Sequence, residues 1–176
     1  MRFKELALRG TYLVEIEPLA DDRGFFARTF CRENFGAKGL IADFSQESVS
    51  FNRRRGTVRG MHFSAAPHAE TKLVRCTAGA IYDVIVDLRP TSATYLAAIG
   101  VELSARNRHA IYIPVDLAHG FQTLMDETEV LYSIDVPYVA SATRGIRWND
   151  PAVKISWPEP ITVISERDLQ FPYWKP

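Results

Sequence analysis

The chain has 176 residues, one domain's worth against about 100–200 residues per domain. Hydrophobic residues make up 47% and charged residues 24%, which excludes disorder, collagen and coiled coil as readings of the whole chain. Twenty-one basic residues balance twenty-one acidic ones, so no global field draws the protein to nucleic acid or to an anionic membrane, and any phosphate it binds is held by a local cluster.

The N-terminus, Met1-Arg2-Phe3-Lys4-Glu5, carries charge where a signal peptide needs an apolar stretch. No uncharged run reaches the ~18 residues of a membrane span. The expectation is a soluble, cytoplasmic protein with no membrane or nucleic-acid partner. In chain order, residues 32–39 have the spacing of one short helix ended by glycine. Residues 58–63 are a candidate strand, and residues 73–77 form a strand closed by the turn signal Ala78-Gly79. Residues 81–88 read as a buried strand rich in β-branched side chains, broken by Arg89-Pro90-Thr91-Ser92. Segments 101–103, 109–113, 121–124 and 129–134 continue the rhythm. Short strands at about ten-residue spacing with turn residues between them predict an all-β sandwich or barrel. The proline-rich end, Trp157-Pro158-Glu159-Pro160 and Phe171-Pro172-Tyr173-Trp174, reads as ordered coil pinned by aromatics. With no repeat, low-complexity tract or linker, residues 1–176 are expected to make a single β domain with irregular arms.

Cys31 and Cys76 are the only cysteines; they cannot make a four-thiol zinc site and read as reduced thiols. His62 lies in Val58-Arg59-Gly60-Met61-His62-Phe63. Strand alternation puts Arg59 and Met61 on one face and Gly60 and His62 on the other, so that the glycine leaves room for a ligand beside the imidazole. The alternative is an interior histidine satisfied by its neighbours. His119, between Ala118 and Gly120 at a turn-to-strand junction, can also face a cavity, whereas His68 and His109 have loop-like surroundings and no assigned role. A metal-binding barrel of the cupin kind shows His-x-His, and here position 64 is Ser64. That leaves His62, Glu70 and His119 as scattered ligands, and no metal is expected.

Lys72 opens a strand, where a positive charge can meet an enolate or a phosphate, or can simply be exposed. Arg53-Arg54-Arg55 reads as a solvated face. Arg23 and Arg59 each adjoin a glycine, so guanidinium and backbone can approach an anion together. Period two groups Val130, Tyr132 and Ile134; Tyr132 is plain packing or, opposite a histidine, a proton donor. Asp168 is a surface carboxylate by default.

Together these pieces resemble the dTDP-4-dehydrorhamnose 3,5-epimerase family over nearly the full chain. The landmarks are Asp22-Arg23-Gly24-Phe25-Phe26, Val58-Arg59-Gly60-Met61-His62-Phe63, Lys72-Leu73-Val74-Arg75, Asp83-Val84-Ile85-Val86-Asp87-Leu88-Arg89, Ala118-His119-Gly120-Phe121, Trp148-Asn149-Asp150-Pro151 and Ser165-Glu166-Arg167-Asp168. The resemblance implies a cupin-type jelly-roll β-barrel with short peripheral helices and an N-terminal arm. It implies an isomerase without metal or cofactor, acting in deoxysugar and polysaccharide biosynthesis. Its substrate would be a nucleotide-diphosphate-linked 4-keto-6-deoxyhexose, inverted at C3 and/or C5 through enolate intermediates.

By similarity His62 is the base, Asp168 orients its imidazole, Tyr132 returns a proton from the opposite face, and Lys72 stabilises the enolate oxygen. Arg23, Gln46, Arg59 and His119 match positions that hold the diphosphate and sugar, while Phe26 and Tyr138 match positions that pack on the base. The family is dimeric, with the N-terminal arm completing the partner's site, so Arg23 and Phe26 would act across the interface.

The chain also departs from the family pattern. Arg28 and Thr143 stand where glutamates are usual, Ser48 where asparagine is usual, and Ser64 where glutamine is common; the glycine before Ala-His-Gly is replaced around Asp116. Arg28, Ser48 and Thr143 are therefore expected to change what that part of the substrate pocket accepts. The alternatives are a 3-only or 5-only epimerase, a ketoisomerase on a differently based nucleotide sugar, and a noncatalytic sugar-nucleotide-binding cupin.

Overall fold

In the computed structural model, which describes residues 1–175, the β-branched and aromatic runs build two antiparallel sheets that pack face to face. The strands are β1 (Arg2–Glu5), β2 (Tyr12–Glu15), β3 (Leu19–Asp21), β4 (Gly24–Phe26), β5 (Gln46–Asn52), β6 (Val58–Ser64), β7 (Lys72–Ala78), β8 (Ala80–Asp87), β9 (Ala98–Ser104), β10 (Ala110–Ile113), β11 (Leu117–Thr123), β12 (Thr128–Ile134) and β13 (Thr143–Gly145). One sheet has the order β1-β2-β10-β7-β12-β5 and the other β13-β6-β11-β8-β9, while β3 and β4 form a separate hairpin. This is the cupin-type jelly roll. The helices are short: α1 (Arg32–Gly36), α2 (Glu166–Leu169) and a 3-10 turn at Ala140–Ala142. The segment expected to be helical up to Gly39 leaves the α-helix at Gly36 and continues as turns.

Period two explains how one strand serves two layers. Val74 and Cys76 of β7 and Val130 of β12 face inward against Ile81, Ile85, Leu103 and Phe121 of the other sheet. Leu73 of β7 faces outward, where the fully buried Phe35 of α1 packs on it with Val14, Ala110 and Tyr112. On the far side of the molecule, Val84 and Val86 of β8 turn away from the barrel and meet Met61, Ile146 and Val153, with Trp157 and Trp174 of the C-terminal coil over them. Strand β8 is therefore buried on both faces, which is why its sequence is apolar apart from the buried Asp83 and Asp87 and the half-buried Tyr82.

Part of the outer surface keeps its apolar side chains in solvent. Val49 and Phe51 of the edge strand β5 are 58% and 52% exposed, and Leu19 and Phe26 of the hairpin are each 73% exposed.

Asp87, fully buried at the end of β8, accepts hydrogen bonds from Arg89, Ser92 and Thr94. Burial alone raises its pKa, but the guanidinium and the two hydroxyls more than reverse this and hold the carboxyl well below its ordinary value. With the folded pKa depressed, the stabilisation is complete above the unfolded value of about 3.9 and is lost as pH falls through the folded value. Asp87→Ala strands Arg89 and is expected to cost about 3 kcal/mol or more, the scale for breaking a buried ion pair. At about 2–4 °C per kcal/mol for a chain of this size, that lowers Tm by about 6–12 °C. A change under 2 °C in a thermal melt would remove the network from the fold's stability.

Candidate active site

Strands β6 and β11 are neighbours, and His62 lies directly opposite His119. Both imidazoles therefore share the face between the two sheets. The pairing then slips: Arg59 sits opposite Phe121, three residues along β6 for two along β11. This bulge corrects the sequence expectation. Strict alternation set Arg59 and Met61 together, away from His62; the extra residue returns Arg59 to the His62 face and leaves Met61 buried on the far side. Gly60 makes the bulge possible. Its φ is +133°, and a Cβ there would stand 2.6 Å from the Gly120 Cα. The glycine admits the neighbouring backbone, not a ligand. His119 likewise lies inside β11, paired with Ile85, and not at a strand junction; the turn comes earlier, at Asp116, whose φ is +64°.

Between the sheets lies a cavity of about 420 Å³. The five-stranded sheet supplies Arg59, His62, His119 and Thr143 to its wall, and the six-stranded sheet supplies Ser48, Lys72 and Tyr132. Tyr138 stands at the rim, 62% exposed.

Each histidine is backed by a carboxylate. His62 Nε2 is 2.7 Å from Oδ1 of Asp168, whose Oδ2 accepts from the Gly60 N–H at 3.1 Å. Asp168 is buried, not at the surface where its charged sequence neighbours would place it. Ser165 caps α2 by accepting from the Asp168 N–H, and Val163 docks the preceding chain by accepting from the Val58 N–H. Burial raises the Asp168 carboxyl, but the His62 hydrogen bond and charge, with the Gly60 N–H and Ser165, bring it below its ordinary value. It remains an anion throughout the neutral range.

His119 Nε2 is 2.8 Å from Oδ2 of the buried Asp83, and its ring meets Tyr132 edge-on at 6.0 Å. The Asp83 Oδ1 has no hydrogen-bond partner. Burial pushes its carboxyl up, opposed by the charges of His119 and Lys72. Burial, with the nearby Asp83 charge, also pushes the Tyr132 phenol far above its usual range, against a smaller opposing effect of Arg59. Tyr132 thus keeps its proton at neutral pH and is a phenol, not a phenolate. Lys72 is buried and pairs with Glu70 at 2.9 Å, so the exposed alternative does not hold. Arg59 is aimed by Asn52, which accepts from its Nε at 2.7 Å. Among the described residues, no group of three or more His, Cys, Asp or Glu side chains converges to hold a metal.

Other expected residues stand apart from the cavity. Gln46 accepts from the Tyr138 N–H at 3.3 Å, behind the rim. Arg23, Phe26 and Arg28 belong to the N-terminal arm and do not line the cavity of their own chain. Arg23 pairs with Asp21 at 2.6 Å, and Arg28 points at the Cys31 sulfur, 3.9 Å away. Both cysteines are free, and burial pushes the Cys76 thiol up to about 11. Sequence reasoning gave Arg167 no role, yet it lines the cavity. Its place beside Asp168 in a capped helical turn was the available signal. The Thr143 Oγ1 is buried without a partner, directly across the strand pair from Ser64.

A family model described as dTDP-4-dehydrorhamnose 3,5-epimerase matches residues 5–176. The chain belongs to the dTDP-4-dehydrorhamnose 3,5-epimerase family. It is 40% identical over 177 residues to the dTDP-4-dehydrorhamnose 3,5-epimerase of Sinorhizobium fredii, covering 98% of this chain and 89% of that one. The crystal structure of the Elizabethkingia anophelis NUHP1 epimerase matches with a TM-score of 0.95 at 32% identity, over 99% of this chain and 96% of that one. That of the Bacillus anthracis epimerase, with TDP and PPi bound, matches with a TM-score of 0.93 at 39% identity, over 98% of this chain and 99% of that one. The epimerase family is one of isomerases, and this member is an enzyme of that class.

Proposed function

We propose that the cavity binds a dTDP-linked 4-keto-6-deoxyhexose and inverts it at C3 and C5, as a step of deoxysugar biosynthesis in the cytoplasm. The observation that carries this reading is a histidine–carboxylate pair and a protonated phenol on opposing walls. His62, backed by Asp168, projects from the five-stranded sheet, and Tyr132 projects from the six-stranded one.

The C4 ketone makes the hydrogens on C3 and C5 acidic, because the electrons left behind move onto oxygen as an enolate. His62 takes the proton, and the resulting imidazolium is stabilised by the Asp168 carboxylate, as in other histidine–carboxylate pairs. Lys72 supplies the positive charge for the enolate oxygen. Tyr132 delivers a proton to the opposite face of the carbon, which inverts it. Arg59 and His119 hold the diphosphate, while Ser48, Tyr138 and Thr143 frame the sugar and base, with Gln46 holding the Tyr138 backbone from behind.

A second copy of the chain completes this arrangement. Val49 and Phe51 on the sheet edge and Leu19 and Phe26 on the hairpin are the apolar surface that a partner would cover. In such a homodimer the arm brings Arg23, Phe26 and Arg28 into the partner's cavity. An arginine at position 28 can only donate hydrogen bonds, so Arg28→Glu is expected to change the order in which thymidine, uridine, cytidine and guanosine diphosphates bind. If thymidine diphosphate binds best to both forms with unchanged affinity, Arg28 has no part in base choice.

Proton–deuterium exchange followed by NMR, with nucleotide-linked 4-keto-6-deoxyhexoses in deuterated buffer, tests the main reading. Deuterium at both C3 and C5 with inversion is the expected result. Deuterium at C3 alone would reduce the enzyme to a 3-epimerase, and binding without exchange would overturn the reaction.

A further inference from the structure

Strand β13 places Gly145 directly opposite His62 of β6. Side chains at paired positions point the same way from the sheet, so a side chain on residue 145 would stand beside the imidazole. That place is taken by a residue from far along the chain: a Cβ on Gly145 would lie 2.5–2.6 Å from three atoms of the Phe171 ring. Gly145 does not have the positive φ that other glycines of this chain need. Its backbone would accept alanine, and the three atoms nearest to an added Cβ all belong to the ring.

The ring meets the His62 imidazole edge-on, with centroids 5.6 Å apart and planes at 69°. The Arg167 guanidinium lies over the same ring, 5.7 Å from its centre. The chain beyond Phe171 is fastened three times: Pro172 accepts from the Arg147 N–H, the Trp174 N–H donates to Asp150, and the Trp174 indole donates to the Tyr95 hydroxyl.

We infer that Phe171 is a positioning residue for His62, holding the plane of the base. The torsion that turns an imidazole about its Cβ–Cγ bond is broad. The hydrogen bond to Asp168 fixes one nitrogen, Nε2, and leaves the ring able to swing about that contact. A flat aromatic wall seated on Gly145 removes the swing and keeps the remaining nitrogen, Nδ1, toward the cavity. The inference rests on the reading of His62 as the base.

The test compares Phe171→Ala, Phe171→Leu, Gly145→Ala and the Phe171→Ala/Gly145→Ala double variant with the native chain. The measurements are kcat for wash-out of the C3 proton in deuterated buffer, Tm, and the NMR signal of the His62 Nε2–H. A misplacement of about 1 Å at a reacting group costs on the order of 10²-fold, and Phe171→Ala is expected to lower kcat by about ten- to hundredfold on that scale. The Nε2–H signal should broaden and exchange faster with solvent. Phe171→Leu keeps the bulk of the tail, so it should leave Tm near native and still lower kcat.

Gly145→Ala should reproduce the loss, because its methyl displaces the ring. In the double variant the methyl finds the ring already gone, and the loss should stay within about twofold of Phe171→Ala alone, the non-additivity of groups in contact. A purely structural part would lower Tm and leave kcat and the imidazole signal unmoved. That result, or losses that multiply in the double variant, overturns the inference. If the native chain itself exchanges no substrate proton, the epimerase reading falls, and the imidazole signal in Phe171→Ala still decides whether the ring holds His62.

Discussion

Replacing His62 by alanine is expected to lower wash-out of the C3 and C5 protons by at least the ~10²–10⁴ typical of a lost general base. No neighbour can substitute for it. His119 has its Nε2 committed to Asp83, Lys72 is paired with Glu70, and burial keeps the Tyr132 phenol protonated. His62 is only partly buried, so the alanine form should fold and bind nucleotide as before. Asp168 would then be left without its imidazole but with the Gly60 N–H and Ser165 still in place. NMR observation of deuterium entry, on protein shown to be folded by its melt, is the measurement. A near-native rate would sink the mechanism.

Tyr132→Phe should separate two events that the native enzyme joins. Proton removal needs His62 and the charge of Lys72 but not the phenol, so wash-out of the C3 proton persists. Return to the opposite face needs the phenol, so inversion falls by the same ~10²–10⁴. In deuterated buffer the variant should yield substrate labelled at C3 with its configuration kept, because His62 hands a deuteron back to the face it came from. The separation depends on Tyr132 and His62 lying on different sheets. Equal loss of exchange and inversion would instead make Tyr132 part of the deprotonation step.

How far the sequence foretold these positions depends on what each residue leans on. The runs at 81–88 and 129–134 are legible because their own side chains fill the core on alternate or on both faces. Strand β5 hid its character. Its apolar residues Val49 and Phe51 face out, while Ser48 and Ser50 face the cavity, the reverse of a core-facing strand. The three residues of β13 are too few to carry a period.

The slip that aligns Arg59 with His62 was unreadable for a different reason: it depends on Gly120, sixty residues away on the neighbouring strand. Within the site, His62, Lys72, His119 and Tyr132 could be suspected from strand position and chemistry. Asp168 could not, since its neighbours suggest a solvated turn and only the barrel it docks against makes it a buried partner. The family resemblance supplied what periodicity lacked. Phe171 escaped both, since its meaning lies in the absence of a side chain at position 145.

The hydrogen bond from His62 to Asp168 joins residues 106 apart in the chain. All thirteen strands precede residue 165 in the chain. The carboxylate and the aromatic wall sit together on one short stretch that follows them. The barrel can therefore close its sheets and still present an unsupported imidazole until that stretch docks. Competence for proton transfer is a separate docking event laid over the fold. A protease that trims this stretch would leave a nucleotide-sized vessel without its chemistry.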